Sequence, residues 1–325
     1  MSHETKQERL TWTEWCCPVH HHALDDIGSA LVCSNGCNYP RRSDIPRFVP
    51  KSNYSDAFGV QWKKYRRTQL DSYSGTKITR NRLIRCIGEE LLATLSGKSV
   101  LECGCGAGRF TAVLLENFAQ LTSIDLSEAV EANQENFPQD SQHRIAQADI
   151  LHLPFKAEQF DIVLCLGVIQ HTPSPEATIG ALYTHVKPGG WLIIDHYTHN
   201  LSWYTKTAPL FRRSLRRLPP DEGMKWTEWL VDTLLPIHIM VRDIRPAQIL
   251  VSRLSPVLYY YRALPELSDE LLREWALLDT HDSLTDWYKH YRTRGQIQMT
   301  LKQLGLEEIW CRYGGNGVEA RGKRP

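Results

Sequence analysis

The run Ser99-Val100-Leu101-Glu102-Cys103-Gly104-Cys105-Gly106-Ala107-Gly108-Arg109-Phe110-Thr111 constrains this 325-residue chain more than any other stretch. Two apolar residues lead into an acid and then glycine at every second position, after which Phe110, Val113 and Leu114 resume at helical spacing. The pattern predicts a strand, a tight glycine-rich loop and a helix. Glycine lets the backbone take positive φ and approach a ligand that a Cβ would obstruct, so Gly104, Gly106 and Gly108 are expected to cradle a small molecule. The spacing is G-x-G-x-G. A dinucleotide fingerprint needs its third glycine one place later, where Arg109 stands.

Beyond the loop, helix and strand alternate, the signature of a parallel sheet covered on both faces. Residues 121–125 read as the second strand, and its terminal acid lies about 20 residues past the loop, where a carboxylate can take both hydroxyls of a ribose. Asp125 is that candidate, with a helix N-cap beside Ser127 as the structural alternative. Glu102 suits a cationic ligand bearing an amino group better than a pyrophosphate, which points to S-adenosylmethionine. Gln147-Ala148-Asp149-Ile150 brings a further acid, and Leu126 and Ile150, each following an acid, are apolar enough to sandwich an adenine.

Residues 160–166 read, Asp161 apart, as a continuous apolar strand, as a central parallel strand must be, and lead into Gly167-Val168-Ile169-Gln170-His171. In an open sheet that loop faces the ligand. His171 is then either a general base or a donor that fixes the loop. Lys187-Pro188-Gly189-Gly190 reads as a turn, and residues 191–197 as a strand that carries His196 and Tyr197 to the rim of the site.

Acid plus glycine triplet, two further acids and the G-x-x-x-H loop, in this order, resemble the motifs of the class I S-adenosylmethionine-dependent methyltransferases, most specifically over residues 80–200. The resemblance implies an α/β fold: a Rossmann-like doubly wound sheet with a C-terminal antiparallel strand. It also implies that Asp149 accepts a hydrogen bond from the adenine amino group, and that the region ahead of the first helix covers the methionine end, with Gln61 and Arg82 as candidates. In that region Trp62 and Tyr65 read as packing, and Leu83, Ile87, Leu91 and Leu95 recur at i+4 as one helix.

Near the N-terminus, Cys17 with His20 and Cys33 with Cys37 offer four ligands for one tetrahedral, structural zinc, with Cys16, His21 and His22 as substitutes. A metal would replace the core that so small a segment cannot build. The segment resembles the zinc-ribbon-like piece that precedes some methyltransferase domains. Toward the other end, an aromatic, helical stretch intervenes before the last strands. Trp226, Trp229, Leu230 and Leu234 are expected on one helix face, and residues 211–217 are basic with apolar interruptions, either a solvated lid or a surface for a lipid-linked or phosphorylated substrate. His281 and Asp282, near Asp286-Trp287-Tyr288, are either substrate contacts or loop caps. Residues 306–321 read as a closing hairpin about Gly314-Gly315-Asn316-Gly317.

The expected domains are a ribbon over 1–52, a cofactor domain over 53–200, a helical cap inserted at 201–298 and closing strands at 299–325. A net charge of +1, with 38 basic and 37 acidic residues, gives no support for a polyanionic partner such as nucleic acid. The polar stretch Met1 to Trp12 lacks the apolar core of a signal peptide, and no later stretch has the length of a membrane span, so a cytoplasmic protein is expected, with peripheral membrane contact through the cap left open. The expected activity is methylation of a small molecule or sugar unit, most simply at oxygen. The alternatives are methylation of tRNA or protein docked on the ribbon, with Arg41, Arg42 and Arg47 as its support, and a binding module without catalysis. Oligomeric state is not legible.

Overall fold

A computed structural model describes residues 12–117, 119–200, 206–315 and 317–325. Residues 1–11 of the polar N-terminal stretch and Asn316 of the expected turn lie outside them. The ribbon is an antiparallel sheet of β1 (Leu24–Asp26), β2 (Ala30–Cys33), β3 (Asn38–Arg42) and β4 (Ile45–Pro46) in sequential order. It is fastened to the body of the protein: Phe48 N donates to Gln147 O at 2.8 Å, Cys16 N to Pro154 O at 2.9 Å, and Trp15 stacks on Phe155 with centroids 5.0 Å apart. The ribbon thereby covers a sheet edge that would otherwise offer unpaired backbone to another chain.

Next come α1 (Asp56–Lys64), α2 (Asp71–Ser74), α3 (Ile78–Ile87) and α4 (Glu89–Leu92). The single helix expected from Leu83 to Leu95 is two, because Gly88 at φ 87° and ψ 142° breaks it. Leu83, Ile87 and Leu95 nevertheless enter one core cluster, so the apolar spacing survives the break.

The main sheet uses β5 (Ser99–Cys103), β6 (Gln120–Asp125), β7 (His143–Gln147), β8 (Phe160–Cys165) and β9 (Val186–Tyr197), with helices α5 (Thr111–Glu116), α6 (Ala129–Asn136) and α7 (Pro175–Thr184) between them. After β9 the chain forms α8 (Ala208–Leu215), α9 (Pro220–Met240), α10 (Arg245–Leu254) and α11 (Asp269–Thr285). It then returns through α12 (Arg294–Gln303) to β10 (Glu307–Gly314) and β11 (Gly317–Lys323). Strand order is β10-β11-β9-β8-β5-β6-β7; β5 to β9 are parallel, and β11 runs antiparallel to both neighbours. This is the doubly wound sheet with its antiparallel strand. Val100, Leu101, Ile124, Val163 and Ile193 are fully buried, as strands covered on both faces require.

Three local expectations change. The third strand is β7, so Asp149 stands beyond its end, where its side chain caps a 3-10 turn by accepting from Leu151 N. Residues 187–190 belong to β9 rather than to a turn, because Gly189 N donates to Arg324 O and Arg324 N to Gly190 O, each at 2.8 Å. The closing unit begins inside the expected cap: α12 starts at Arg294, and its Ile297 and Leu301 are buried in the sheet's core cluster.

Candidate active site

A cavity of about 770 Å³ opens beyond the carboxyl ends of the central strands. It is lined by Gly104, Cys105, Gly106, Asp125, Leu126, Asp149 and Ile150, by Phe58, Gln61 and Trp62 of α1 and by Trp275, Leu278, Asp279 and Asp282 of α11. The loop after β5 is held by two bonds, from Gly104 N and Cys105 N to Ile124 O at 2.8 and 2.9 Å. Gly104 has φ 75°, and a Cβ there would lie 2.1 Å from Val168 Cγ2; at Gly108 it would lie 2.6 Å from the Phe137 ring. At both glycines the close approach is to a neighbouring side chain; Gly104 also lines the cavity, and Gly108 does not.

Asp125 meets Ser127 as expected, although the N-cap of α6 is Glu128. Oδ1 accepts from Ser127 N and Oγ at 2.8 and 2.7 Å, Oδ2 accepts from Gly106 N at 3.0 Å, and the carboxylate still faces the cavity. Burial raises its pKa against those bonds. Glu102 is a correction: its carboxylate turns behind the loop, where Oε2 accepts from Thr111 Oγ1 at 2.6 Å and Ser123 Oγ at 2.9 Å. It is absent from the cavity wall, and burial pushes its pKa up to about 7. Gln61 is buried on the wall with Oε1 lacking any partner among the described residues. Arg82 also lines the wall, ion-paired to Asp195, whose other oxygen accepts from Gly167 N at 2.6 Å. Trp62, expected as packing, sits against Gly106 and lines the cavity as well.

His171 also lines the cavity, its ring met edge-on by Phe58 and Tyr197 at 5.4 and 5.3 Å. Its Nδ1 lies 3.0 Å from Asp286 Oδ2 and 3.3 Å from Tyr288 O. Its Nε2 lies 3.7 Å from Asp282 Oδ1, and neither of these two buried atoms has a hydrogen-bond partner among the described residues. Asp286 is fully buried and also binds Arg212 Nε at 2.6 Å and Lys289 Nζ at 3.3 Å. Burial works to lower the pKa of His171, but the carboxylates of Asp282 and Asp286 outweigh it and the net shift is upward.

Two expected site residues lie elsewhere. Side chains alternate along a strand, so Tyr197 lines the cavity while His196 points away, with Nδ1 2.8 Å from Tyr197 O and its pKa pushed down to about 4 by burial. His281 is one helical step from Asp282 on α11, not in a loop, and ties that helix to its neighbours: Nδ1 is 3.3 Å from Thr227 Oγ1 and Nε2 3.3 Å from Ala57 O. Arg212 and Lys289 escaped the sequence reading. Arg212 sat in a basic run that reads as surface, and only its pairing across the fold to Asp286 reveals it.

In the ribbon, His20 Nδ1 stands 3.6, 3.6 and 3.5 Å from Sγ of Cys17, Cys33 and Cys37. Zinc bonds of ~2.05 Å to nitrogen and ~2.3 Å to sulfur at tetrahedral angles would make that edge about 3.5 Å; the ligand atoms of Cys17, His20 and Cys37 all lie within 4.8 Å of one another, and Cys33 falls outside that group despite its distance to His20. Tyr39 Oη, 3.1 Å from Cys17 Sγ, steadies the set. Of the substitutes, Cys16 is outside that group, and His22 Nδ1 contacts Ser34 Oγ at 3.3 Å.

A sequence family described as a methyltransferase domain matches residues 101–194, which run from β5 to β9. The ubiquinone biosynthesis O-methyltransferase of Pseudomonas entomophila (strain L48) is 35% identical over 117 residues, 34% of this chain and 49% of that protein. The protein of the same name from Coxiella burnetii (strain Dugway 5J108-111) is 34% identical over 148 residues, 42% of this chain and 63% of that protein. The chain thus spans about half to just under two thirds of the length of these curated relatives. Among solved structures, magnesium protoporphyrin IX methyltransferase from Synechocystis PCC 6803 superposes with a TM-score of 0.45 at 14% identity, over 84% of this chain and 97% of that one.

Proposed function

We propose that this chain, whose residues 101–194 are a class I S-adenosylmethionine-dependent methyltransferase domain, methylates a hydroxyl on a small molecule with an aromatic or apolar body. The observation that carries the reading is the pair of unpartnered atoms, His171 Nε2 and Asp282 Oδ1, facing each other across 3.7 Å at the cavity. That gap is too long for a direct hydrogen bond; a hydroxyl set off the line between them would donate its one proton to His171 Nε2 and could accept from Asp282 in its protonated form, which burial favours. The relatives' name, O-methyltransferase, supports oxygen as the acceptor. Phe58, Leu258, Tyr260, Trp275 and Leu278 on the wall favour an apolar body over a saccharide.

The wall fits the cofactor. Asp125 would take the ribose hydroxyls, Asp149 the adenine amino group, Leu126 and Ile150 the faces of the base, and the orphaned Gln61 Oε1 the amino group at the methionine end. When bound, S-adenosylmethionine supplies a methyl group on a sulfonium. What the protein adds is alignment of acceptor and methyl group and removal of one proton. His171 Nε2 takes the hydroxyl proton, and Asp286, held by Arg212 and Lys289, orients the ring and stabilises the imidazolium that results. Because the pKa of His171 is raised, the competent neutral ring forms as pH rises through that value, and turnover rises with it.

The ribbon reads as a structural zinc site, on the strength of its 3.5 to 3.6 Å ligand edges. Docking of a macromolecule there finds less support, since Arg41 pairs with Asp26 and Arg47 is buried against Glu131. The test of the main reading is methyl transfer to a panel of phenols and catechols by wild type and His171→Gln. The variant should bind S-adenosylhomocysteine normally and lose about 10²- to 10⁴-fold in turnover, the usual worth of a positioned base. Turnover at the wild-type rate would remove His171 from the chemistry.

A further inference from the structure

The cap carries an apolar face turned outward. Helix α10 has no buried residue. Its half-buried positions are Ala247, Gln248, Val251, Ser252 and Arg253, while Ile249, Leu250 (58% exposed) and Leu254 (63%) face solvent. A soluble helix shows the opposite arrangement, and ten residues is too short to hold a helix by propensity alone. The patch extends to both neighbours. Met240 (74%) and Ile244 lie exposed where α9 gives way to α10. Thr207 N donates to Arg253 O at 3.0 Å and Thr207 Oγ1 to Leu254 O at 2.8 Å, which brings the start of α8, with Leu210 (72%), to the end of α10.

The charge around this patch is one-sided. Residues 206–256 hold nine Lys and Arg against five Asp and Glu, in a chain whose net charge is +1. Arg213 follows Leu210 on the same stripe of α8, Arg217 stands just past the end of that helix, and Arg245 shares a stripe with Ile249 on α10. All three arginines are exposed, with no ion-pair partner among the described residues. Asp243 is the acid nearest in sequence, and it faces Arg242 at 3.9 Å. Apolar side chains ringed by unpaired arginines match the two layers of an anionic bilayer surface: acyl boundary for the first, phosphate for the second.

We infer that the cap docks peripherally on an anionic lipid surface through α10, the end of α9 and the start of α8. None of the described helices is long and apolar enough to cross a membrane, so the contact is with one face of the bilayer. Leu258 and Tyr260, four and six residues past the end of α10, line the cavity, so docking sets a cavity wall close to the lipid. The inference stands apart from the methyl-transfer reading, because lipid binding can be measured without cofactor.

The test is sedimentation of the full chain with vesicles of phosphatidylcholine alone and of phosphatidylcholine with 30% phosphatidylglycerol, at about 0.05 and 0.5 M salt. Wild type should sediment with the anionic vesicles at low salt and much less with the neutral ones or at high salt. Leu250→Glu/Leu254→Glu should bind at least tenfold less, as should Arg213→Gln/Arg217→Gln/Arg245→Gln, while both bind S-adenosylhomocysteine as wild type does. No binding to anionic vesicles, or equal binding by the leucine variant, overturns the inference. So does a wild-type dimer by light scattering that the leucine substitutions turn into monomer, since a second copy would then cover the patch.

Discussion

Gly104→Ala isolates the contact that joins the cofactor loop to the loop of His171. Two costs combine. Alanine at φ 75° costs roughly 1–2 kcal/mol in the left-handed region. The new Cβ, 2.1 Å from Val168 Cγ2, forces that side chain to move, an overpacking cost of about 1–3 kcal/mol. The sum is about 2–5 kcal/mol. Gly189→Ala serves as the control, because its φ of 76° carries the first cost while nothing lies within 4 Å to impose the second. Val168→Ala in the Gly104→Ala background removes both Cγ atoms and leaves Cβ at 3.1 Å, so a double-mutant cycle should show a favourable coupling of about 1–3 kcal/mol. Urea unfolding midpoints measure these differences. Val168 is three residues ahead of His171, so the single variant should also lose turnover, and the double should regain part of it. Equal losses for Gly104→Ala and Gly189→Ala, or no relief from Val168→Ala, would refute the reasoning.

Glu102 makes folding pH-dependent. Its folded pKa of about 7 lies above the ordinary 4.5, so the folded state binds the proton more tightly and stability falls as pH rises from 4.5 through 7, by about 3 kcal/mol in all. Glu102→Gln should remove that slope from urea unfolding measured between pH 4.5 and 8; an unchanged slope contradicts the assignment. The ribbon should carry one zinc per chain by elemental analysis, and Cys37→Ser or chelation should lower the thermal midpoint, since metal binding there is folding free energy. Less than a tenth of an equivalent in the purified protein would sink the site.

Much of the architecture was written in patterns that act locally. The glycine spacing, the acids Asp125 and Asp149 and the apolar run before Gly167 each depend on a few neighbours, and the structure puts Gly104, Gly106, both acids and Leu166 at the end of that run around one cavity, but not Gly108. The side-chain directions were harder. Glu102 reads as a ligand contact, yet the hydroxyls of Thr111 and Ser123 draw it behind the loop. His196 and Tyr197 read as a pair, yet a strand sends successive residues to opposite faces. In the cap the apolar period gave helices but not which face was inward: Trp226 and Trp229 are exposed and pack edge to face on each other, while Leu230, read with them on one face, is buried. The most instructive miss is Arg212, whose role depends on Asp286, 74 residues away. No local pattern encodes such a partner.

The measurement that bears most directly on the account is calorimetric titration of S-adenosylhomocysteine into wild type and Asp125→Ala. Asp125 faces the cavity with oxygens already bonded to Gly106 and Ser127, so the substitution removes a ligand contact and a brace of the loop together. Saturable binding by wild type, weakened by about 1–3 kcal/mol in the variant, is the expected result. No saturable binding by wild type, or equal affinity in the two proteins, would contradict the placement of the cofactor.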